Sequence, residues 1–352
     1  MVNSLATHGG HVPPDIHDLQ LPPAPLQPPA MELLHSYTDW RRDWTHIVAG
    51  KFTDSPYSSL LFYEQSTGVA EFYATDGAGG ITLLQHHEGW RQSWTYIVPG
   101  YFSNSKRAGI LLYDREAGFG AFYDTDGEGG IVLLREHEGW RTTWIQILAG
   151  WFSTPLPGTS RTSDLLFYEQ EGGYGEFYRT DGHGRMALLA KYSDWRTTWT
   201  QIVAGEFVNH SPWPWADPLI DDLFFYEGST GYSETYECDG QGSIALYGFQ
   251  SDFPTTTHIC SGCFGGSGPT NLLCYDRVTG DATFLDFAGA AARRGGTANT
   301  ACDMDPARSV QLGTELGSLG RGKFLDGRPR GPLLRRRRLH RSTALQRTRR
   351  PR

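Results

Sequence analysis

The chain has 352 residues, with 31 Lys and Arg against 39 Asp and Glu, a formal net charge of −8 and 13% aromatic side chains. The charge is segregated, because residues 291–352 hold 16 of the bases and only four of the acids, leaving 15 bases against 35 acids in residues 1–290. So acidic a body argues against a nucleic-acid partner, and no apolar run approaches the ~20 residues that cross a bilayer, which argues against a membrane one.

Residues 1–30 contain seven prolines and no apolar core, which predicts disorder. They lack the charged start, apolar stretch and cleavage site of a secretory signal, so the expected location is the cytoplasm or a non-classical export route. "MELLHSYTDW" (Met31–Trp40) reads as a lone outer strand, because it matches "ITLLQHHEGW", "IVLLREHEGW" and "MALLAKYSDW" further along while no strand precedes it. From Thr38 a longer unit begins. "TDWRRDWTHIVAGKF" is followed by "EGWRQSWTYIVPGYF" from Glu88, "EGWRTTWIQILAGWF" from Glu138 and "SDWRTTWTQIVAGEF" from Ser193. The second tryptophan of each falls at Trp44, Trp94, Trp144 and Trp199, and a degenerate fifth copy, "PTTTHICSGCF", puts Thr257 in that place. Self-similarity at a fixed period decides the architecture before any local propensity does.

Each unit holds four short segments, in the first copy "WTHIVAGKF", "SLLFYEQ", "GVAEFYATDG" and "GITLLQHH". They are rich in aromatic and branched residues and are separated by tight-turn sequences such as "STG" and "TDGAGG". Four antiparallel strands in ~50 residues with no helical pattern describe one blade of a β-propeller. The expected fold is therefore all-β, with about five recognisable four-stranded blades over residues 31–290. The fifth unit supplies three strands of its own, and the N-terminal strand is expected to complete it and close the ring. Closure removes the bare sheet edges that a solenoid, the rival architecture, would leave. From Ala290 the sequence turns Arg-, Gly- and Pro-rich. Residues 291–352 are expected to form a disordered basic tail. Alternatively they are a sixth blade lost to a shifted reading frame, since one set of codons for "RGPLLRR" reads Ala-Asp-Leu-Phe-Tyr-Asp in the neighbouring frame.

In a propeller the links from a fourth strand to the next first strand share a face with the hairpins between second and third strands. That face is predicted to collect Trp40, Arg41, Trp90, Arg91, Trp140, Arg141, Trp195 and Arg196, with the acids that end the second strands, Glu64, Asp114, Glu169, Glu227 and Asp276. Two roles compete for them. The tryptophans wedge neighbouring blades together while each arginine bridges to an acid or a carbonyl. Alternatively they form shallow inter-blade pockets in which an indole stacks on the C–H face of a sugar while arginine and carboxylate meet its hydroxyls. Repetition in every blade favours packing, and weak identical sites on one ring would gain avidity on a multivalent surface.

The opposite face carries the first-to-second-strand loops and all the length variation, including a fourth-unit insertion with Trp213 and Trp215. No metal or cofactor is expected: Cys260 and Cys263 form a lone C-x-x-C at positions held by ordinary strand residues in the other units. There is no G-x-S-x-G, H-E-x-x-H or P-loop, and carboxylates that recur in every blade do not make a unique acid and base. The chain is expected to be a non-catalytic binding module rather than an enzyme.

Gly-x-Phe, a loop and then "DLLFYE" (Asp164–Glu169) or "DDLFFYE" (Asp221–Glu227) resembles the FG-GAP or VCBS repeat of integrin α-chain heads and many bacterial surface proteins. The paired tryptophans resemble the blades of bacterial propeller lectins of the Photorhabdus type. The resemblance spans residues 31 to about 287. The lectin likeness implies carbohydrate binding, with glycans or glycoconjugates as partners. The FG-GAP likeness implies a protein–protein scaffold as the alternative, and a propeller hydrolase comes third. FG-GAP repeats carry an Asp-rich calcium loop after Gly-x-Phe, whereas here the loops "TDSPYSS", "SNSKRAG" and "GGSGPTN" hold only Asp54, too few hard oxygens for a calcium cage.

Overall fold

The computed structural model describes residues 35–287 except 39, 157, 159, 209–219 and 263–269. The Pro-rich start, the basic tail where a sixth blade was the alternative expectation, the Trp213 and Trp215 loop and Cys263 lie outside the described residues. The first sheet comprises β1 (His46–Gly50), β2 (Ser59–Glu64), β3 (Val69–Thr75) and β4 (Ile81–His87), and the second β5 (Tyr96–Gly100), β6 (Gly109–Asp114), β7 (Phe119–Thr125) and β8 (Ile131–His137). The third holds β9 (Gln146–Gly150), β10 (Asp164–Glu169), β11 (Tyr174–Thr180) and β12 (Met186–Tyr192), and the fourth β13 (Gln201–Gly205), β14 (Asp222–Glu227), β15 (Tyr232–Cys238) and β16 (Ile244–Gln250). The fifth has β17 (His258–Gly262), β18 (Asn271–Tyr275) and β19 (Ala282–Asp286). Every sheet is an antiparallel meander in sequence order, and the five form a ring, a five-bladed β-propeller. Among the described residues there is no helix, hence none long and apolar enough to cross a membrane.

Burial explains the differing composition of the strands. The second strands β6, β10 and β14 are buried at every position, because each is covered on both faces by neighbouring blades, and they read as continuous apolar runs. The outer strands β4 and β8 expose most of theirs and mix polar with apolar residues. The cores sit in the seams. Phe72 and Ile97 join blades one and two, Phe122 and Ile147 blades two and three, Phe177 and Ile202 blades three and four, and Phe224 and Ile259 blades four and five. Gly-x-Phe recurs because the phenyl ring folds back over its own glycine. A Cβ on Gly50 would stand 2.6 Å from the Phe52 ring, and Gly150 meets Phe152 in the same way.

Hydrogen bonds stitch the same seams near the axis. The first residue of the inner strands β1, β5, β9 and β13 donates to the next blade: His46 Nε2 to Thr95 O (3.1 Å), Tyr96 Oη to Ile145 O (2.5 Å), Gln146 Nε2 to Thr200 O (2.7 Å) and Gln201 Nε2 to Thr257 O (3.0 Å). At the ring's join, Tyr37 Oη donates to Gly79 O (3.1 Å) and accepts from Ile81 N (3.0 Å). Tyr192 makes the matching pair with Gly242 O and Ile244 N of the next blade. Tyr37 therefore stands toward the first blade as Tyr192 stands toward the fourth, and residues 31–34 of the segment expected to close the ring lie outside the described residues.

One alignment is corrected. Thr257 N donates to Tyr275 O as Thr200 N does to Tyr226 O, so Thr257 corresponds to Thr200 and Thr256 takes the second tryptophan's place. The fifth copy is one residue shorter, and Phe253, whose N–H bonds Gly231 O (3.1 Å), replaces the first tryptophan.

Asp164 makes the fold's stability pH-dependent. Only 2% exposed, it has one carboxylate oxygen without a partner, and burial pushes its pKa from 3.8 up to about 7 against the opposing hydrogen bonds from Ser153 and Phe152. The folded state then binds the proton more tightly than the unfolded chain, so this carboxyl subtracts stability progressively as pH rises from about 4 to about 7. Asp164→Asn should match the native chain at pH 4 and exceed it by roughly 1–3 kcal/mol at pH 8. Urea unfolding at both pH values measures this, and an unchanged difference between the two would refute it.

Candidate functional site

The Trp-Arg-x-x-Trp segments run along one rim and tie each blade to the next. Trp90 N donates to Gly68 O, Trp140 N to Gly118 O and Trp195 N to Gly173 O, all within 2.9–3.1 Å. The carbonyl of the following arginine accepts the strand-two tyrosine hydroxyl of the preceding blade, Tyr63 to Arg91 (2.6 Å), Tyr113 to Arg141 and Tyr168 to Arg196 (2.7 Å). The approach explains the hairpin glycine. Gly118 has φ +61°, and a Cβ there would lie 2.3 Å from Trp140 O.

The two tryptophans of each motif differ. The second ones, Trp44, Trp94, Trp144 and Trp199, are buried, at most 9% exposed. The first ones are wedges with one edge in solvent. Trp140 touches Tyr113 (5.8 Å), Phe122 (6.4 Å) and His137 (5.4 Å) behind it and Phe167 (5.2 Å) in front, and Trp195 repeats this between Tyr168 and Phe225. Trp90 packs on Tyr63, Phe72 and His87, while Trp40 is 39% exposed and edge-on to Phe62. For these rings the packing role is met by geometry.

The arginines stand between aromatic faces and pair with the acid that ends the second strand of the blade they lead into. The Arg91 guanidinium lies 4.2 Å from the Phe119 ring and 5.2 Å from Trp94, Arg141 4.6 Å from Tyr174, Arg196 4.4 Å from Tyr232, and Arg41 4.4 Å from Trp44. Arg41 pairs with Glu64, Arg91 with Asp114 (3.3 Å), Arg141 with Glu169 (3.0 Å) and Arg196 with Glu227 (4.0 Å). The sequence brings these groups together as predicted. Asp276 alone has no such arginine, because Pro254 follows Phe253 in the fifth copy. Burial raises the Asp114 pKa, but the Ser93 hydroxyl (2.5 Å), the Ala117 N–H (3.0 Å) and Arg91 outweigh it and hold the carboxyl below its ordinary value.

In the second blade this rim opens into a pocket of about 270 Å³. Its walls include Trp90, Arg91, Phe119, Tyr123 and Ile131, with Glu136 at the edge. Sequence reasoning passed over the third-strand glutamates and tyrosines that shape this region, although "EFY", "AFY", "EFY" and "ETY" stand in register from Glu71, Ala121, Glu176 and Glu234. It also missed Phe253, which packs on Phe224 (5.0 Å) and Tyr226 (5.4 Å). The lone C-x-x-C signal leads elsewhere: Cys260 is free and buried, as are Cys238 and Cys274, and burial pushes its thiol up to about 11. Among the described residues no group of three or more His, Cys, Asp or Glu is placed to hold a metal. In the loop that FG-GAP repeats use for calcium, Asp54 pairs instead with Arg107 (3.2 Å).

No family model and no curated relative matches the chain. Among solved structures, a protein from Lactobacillus plantarum is similar over 65% of this chain and 67% of its own, at 11% identity and a TM-score of 0.36. BBS1N, solved in complex with ARL6DN, is similar over 70% of this chain and 69% of its own, at 8% identity and a TM-score of 0.38. Neither likeness bears on function.

Proposed function

We propose that this chain is a non-catalytic binding module that recognises carbohydrate on the Trp-Arg rim. The observation that carries the reading is the second-blade pocket, where an aromatic wall, a cation and a carboxylate converge on a space open to solvent. An apolar C–H face suits the rings, and hydroxyls, being both donors and acceptors, suit the arginine and the acid together. Arg91 is 43% exposed along its side chain, so its ion pair is worth about 0–1 kcal/mol to the fold and its loss is readable as binding. On a glycan array Arg91→Ala should lose at least tenfold in signal for any glycan the native chain captures, with an unfolding midpoint within a few degrees of native. A native chain that captures no glycan would refute the reading.

A protein partner is the second reading. It is favoured by the apolar side chains that the outer strands expose, including Leu83, Leu133, Leu188, Tyr247 and Phe249, the last 67% exposed.

A further inference from the structure

The second blade differs from its siblings by an exchange across one strand pair. In the first, third and fourth blades the third strand places a glutamate beneath the rim arginine, and its carboxylate is fully engaged. Glu71 accepts from Tyr73 Oη (2.6 Å) and His86 (2.9 Å). Glu176 accepts from Tyr178 Oη (2.7 Å) and lies near Lys191 (3.2 Å) and Arg141 (3.6 Å). Glu234 accepts from Tyr236 Oη (2.6 Å) and Tyr232 Oη (2.7 Å) and lies 3.8 Å from Arg196. In the second blade that residue is Ala121, and its cross-strand partner, which is His86, Lys191 or Phe249 in the first, third and fourth blades, is Glu136.

The carboxylate stands on the exposed outer strand instead of the middle of the blade, and the pocket is lined by Phe119 and Tyr123, two residues before and two after Ala121 on the third strand. Tyr123 lines it, and among the described residues its hydroxyl has no partner, unlike Tyr73, Tyr178 and Tyr236. What remains is one guanidinium already paired with Asp114, a hydroxyl and a rim carboxylate, Glu136, that have no partner among the described residues, and an aromatic and aliphatic wall. Arg91 against Asp114 and Glu136 leaves a net negative charge, which disfavours an anion. At about 270 Å³ the pocket falls just below the ~300–1,000 Å³ of sites for drug-sized ligands, which matches one ring rather than a chain.

We infer that the second blade holds the ring's single open sugar site among the described blades. It takes one neutral sugar ring whose adjacent hydroxyls meet Tyr123 Oη and Glu136 while its C–H face meets the open edge of Trp90 and the Ile131 side chain. This rests on the carbohydrate reading and narrows it from four equivalent seams to one. In the first, third and fourth blades the protein's own glutamate fills the place.

The test is calorimetric titration of the whole chain with methyl glycosides of mannose, galactose, fucose and N-acetylglucosamine, and with glucuronate. At least one neutral glycoside should bind with one site per chain, and glucuronate at least tenfold more weakly. Ala121→Glu combined with Glu136→Lys rebuilds the pair found in the third blade and should abolish binding while the chain stays folded. Tyr123→Phe breaks no internal hydrogen bond, so it should keep native stability and lose several-fold in affinity, which keeps the test decisive should the double variant misfold. Three or four sites per chain, or undiminished affinity in Tyr123→Phe or a folded double variant, would overturn the single site and leave the rim reading standing. No binding of any probe by the native chain would overturn both.

Discussion

Trp199→Ala should lower the unfolding free energy by about 3–5 kcal/mol, the range for removing a large aromatic side chain from a packed core. The indole is 2% exposed and fills the seam between the third and fourth blades. It lies 5.4 Å from Phe225 and 6.0 Å from Tyr232, in one core with Phe152, Leu166 and Tyr168 of the blade behind. Its backbone carbonyl accepts Gln170 Nε2 (2.9 Å), which holds the segment in place and limits collapse around the void. Arg196 would also lose one of the two rings that flank it, at 5.5 Å, and keep the other, Tyr232, at 4.4 Å. Because the cores lie between blades rather than within them, the loss weakens the join of two sheets, and denaturant unfolding by intrinsic fluorescence should show an earlier midpoint. A decrease below about 1 kcal/mol would mean that the seam is not where the stability of the ring resides.

The same distinction decides how much of the molecule was legible beforehand. Blades, strand order and the shared rim could be read because the period is kept and because each segment's composition reports its layer, with buried runs such as Leu165–Tyr168 in the centre and mixed ones such as Ile131–His137 outside. The meeting of Arg91 with Asp114 followed from topology alone. What could not be read was which tryptophan is sealed and which keeps an open edge, since both occur in the first four copies and both Trp140 and Trp144 pack on the same Phe167 ring, so only their burial separates them. The Thr257 placement failed because the fifth copy is one residue shorter before its inner strand, and hydrophobic pattern there is too weak to fix register. The pocket escaped notice for a different reason. Repetition draws attention to what recurs, whereas the site depends on the one blade where Ala121 stands in place of the third-strand glutamate and Glu136 lies opposite it.

Asp222→Ala should cost about 3–5 kcal/mol, and Asp222→Asn about 1, whereas Asp164→Asn should stabilise at neutral pH although both acids open the second strand of their blade. Asp222 is fully buried, and its two oxygens accept three backbone donors: Phe207 N (3.0 Å) and Val208 N (2.8 Å) on Oδ2, and Cys238 N (3.4 Å) on Oδ1. Alanine leaves those N–H groups buried without acceptors at about 1–3 kcal/mol each, partly offset because a buried charge is removed with them. Asparagine keeps one carbonyl oxygen, which suffices for the pair at Phe207 and Val208. Asp164 meets the same turn with one oxygen orphaned, so there the charge costs more than its hydrogen bonds return. The position tolerates Ser59, Gly109 and Asn271 in the other blades, which shows that no carboxylate is required by the fold itself. Opposite signs for the two asparagine variants at pH 7, measured by urea unfolding, are therefore the expected result. Equal signs would mean that partner satisfaction does not govern these buried acids.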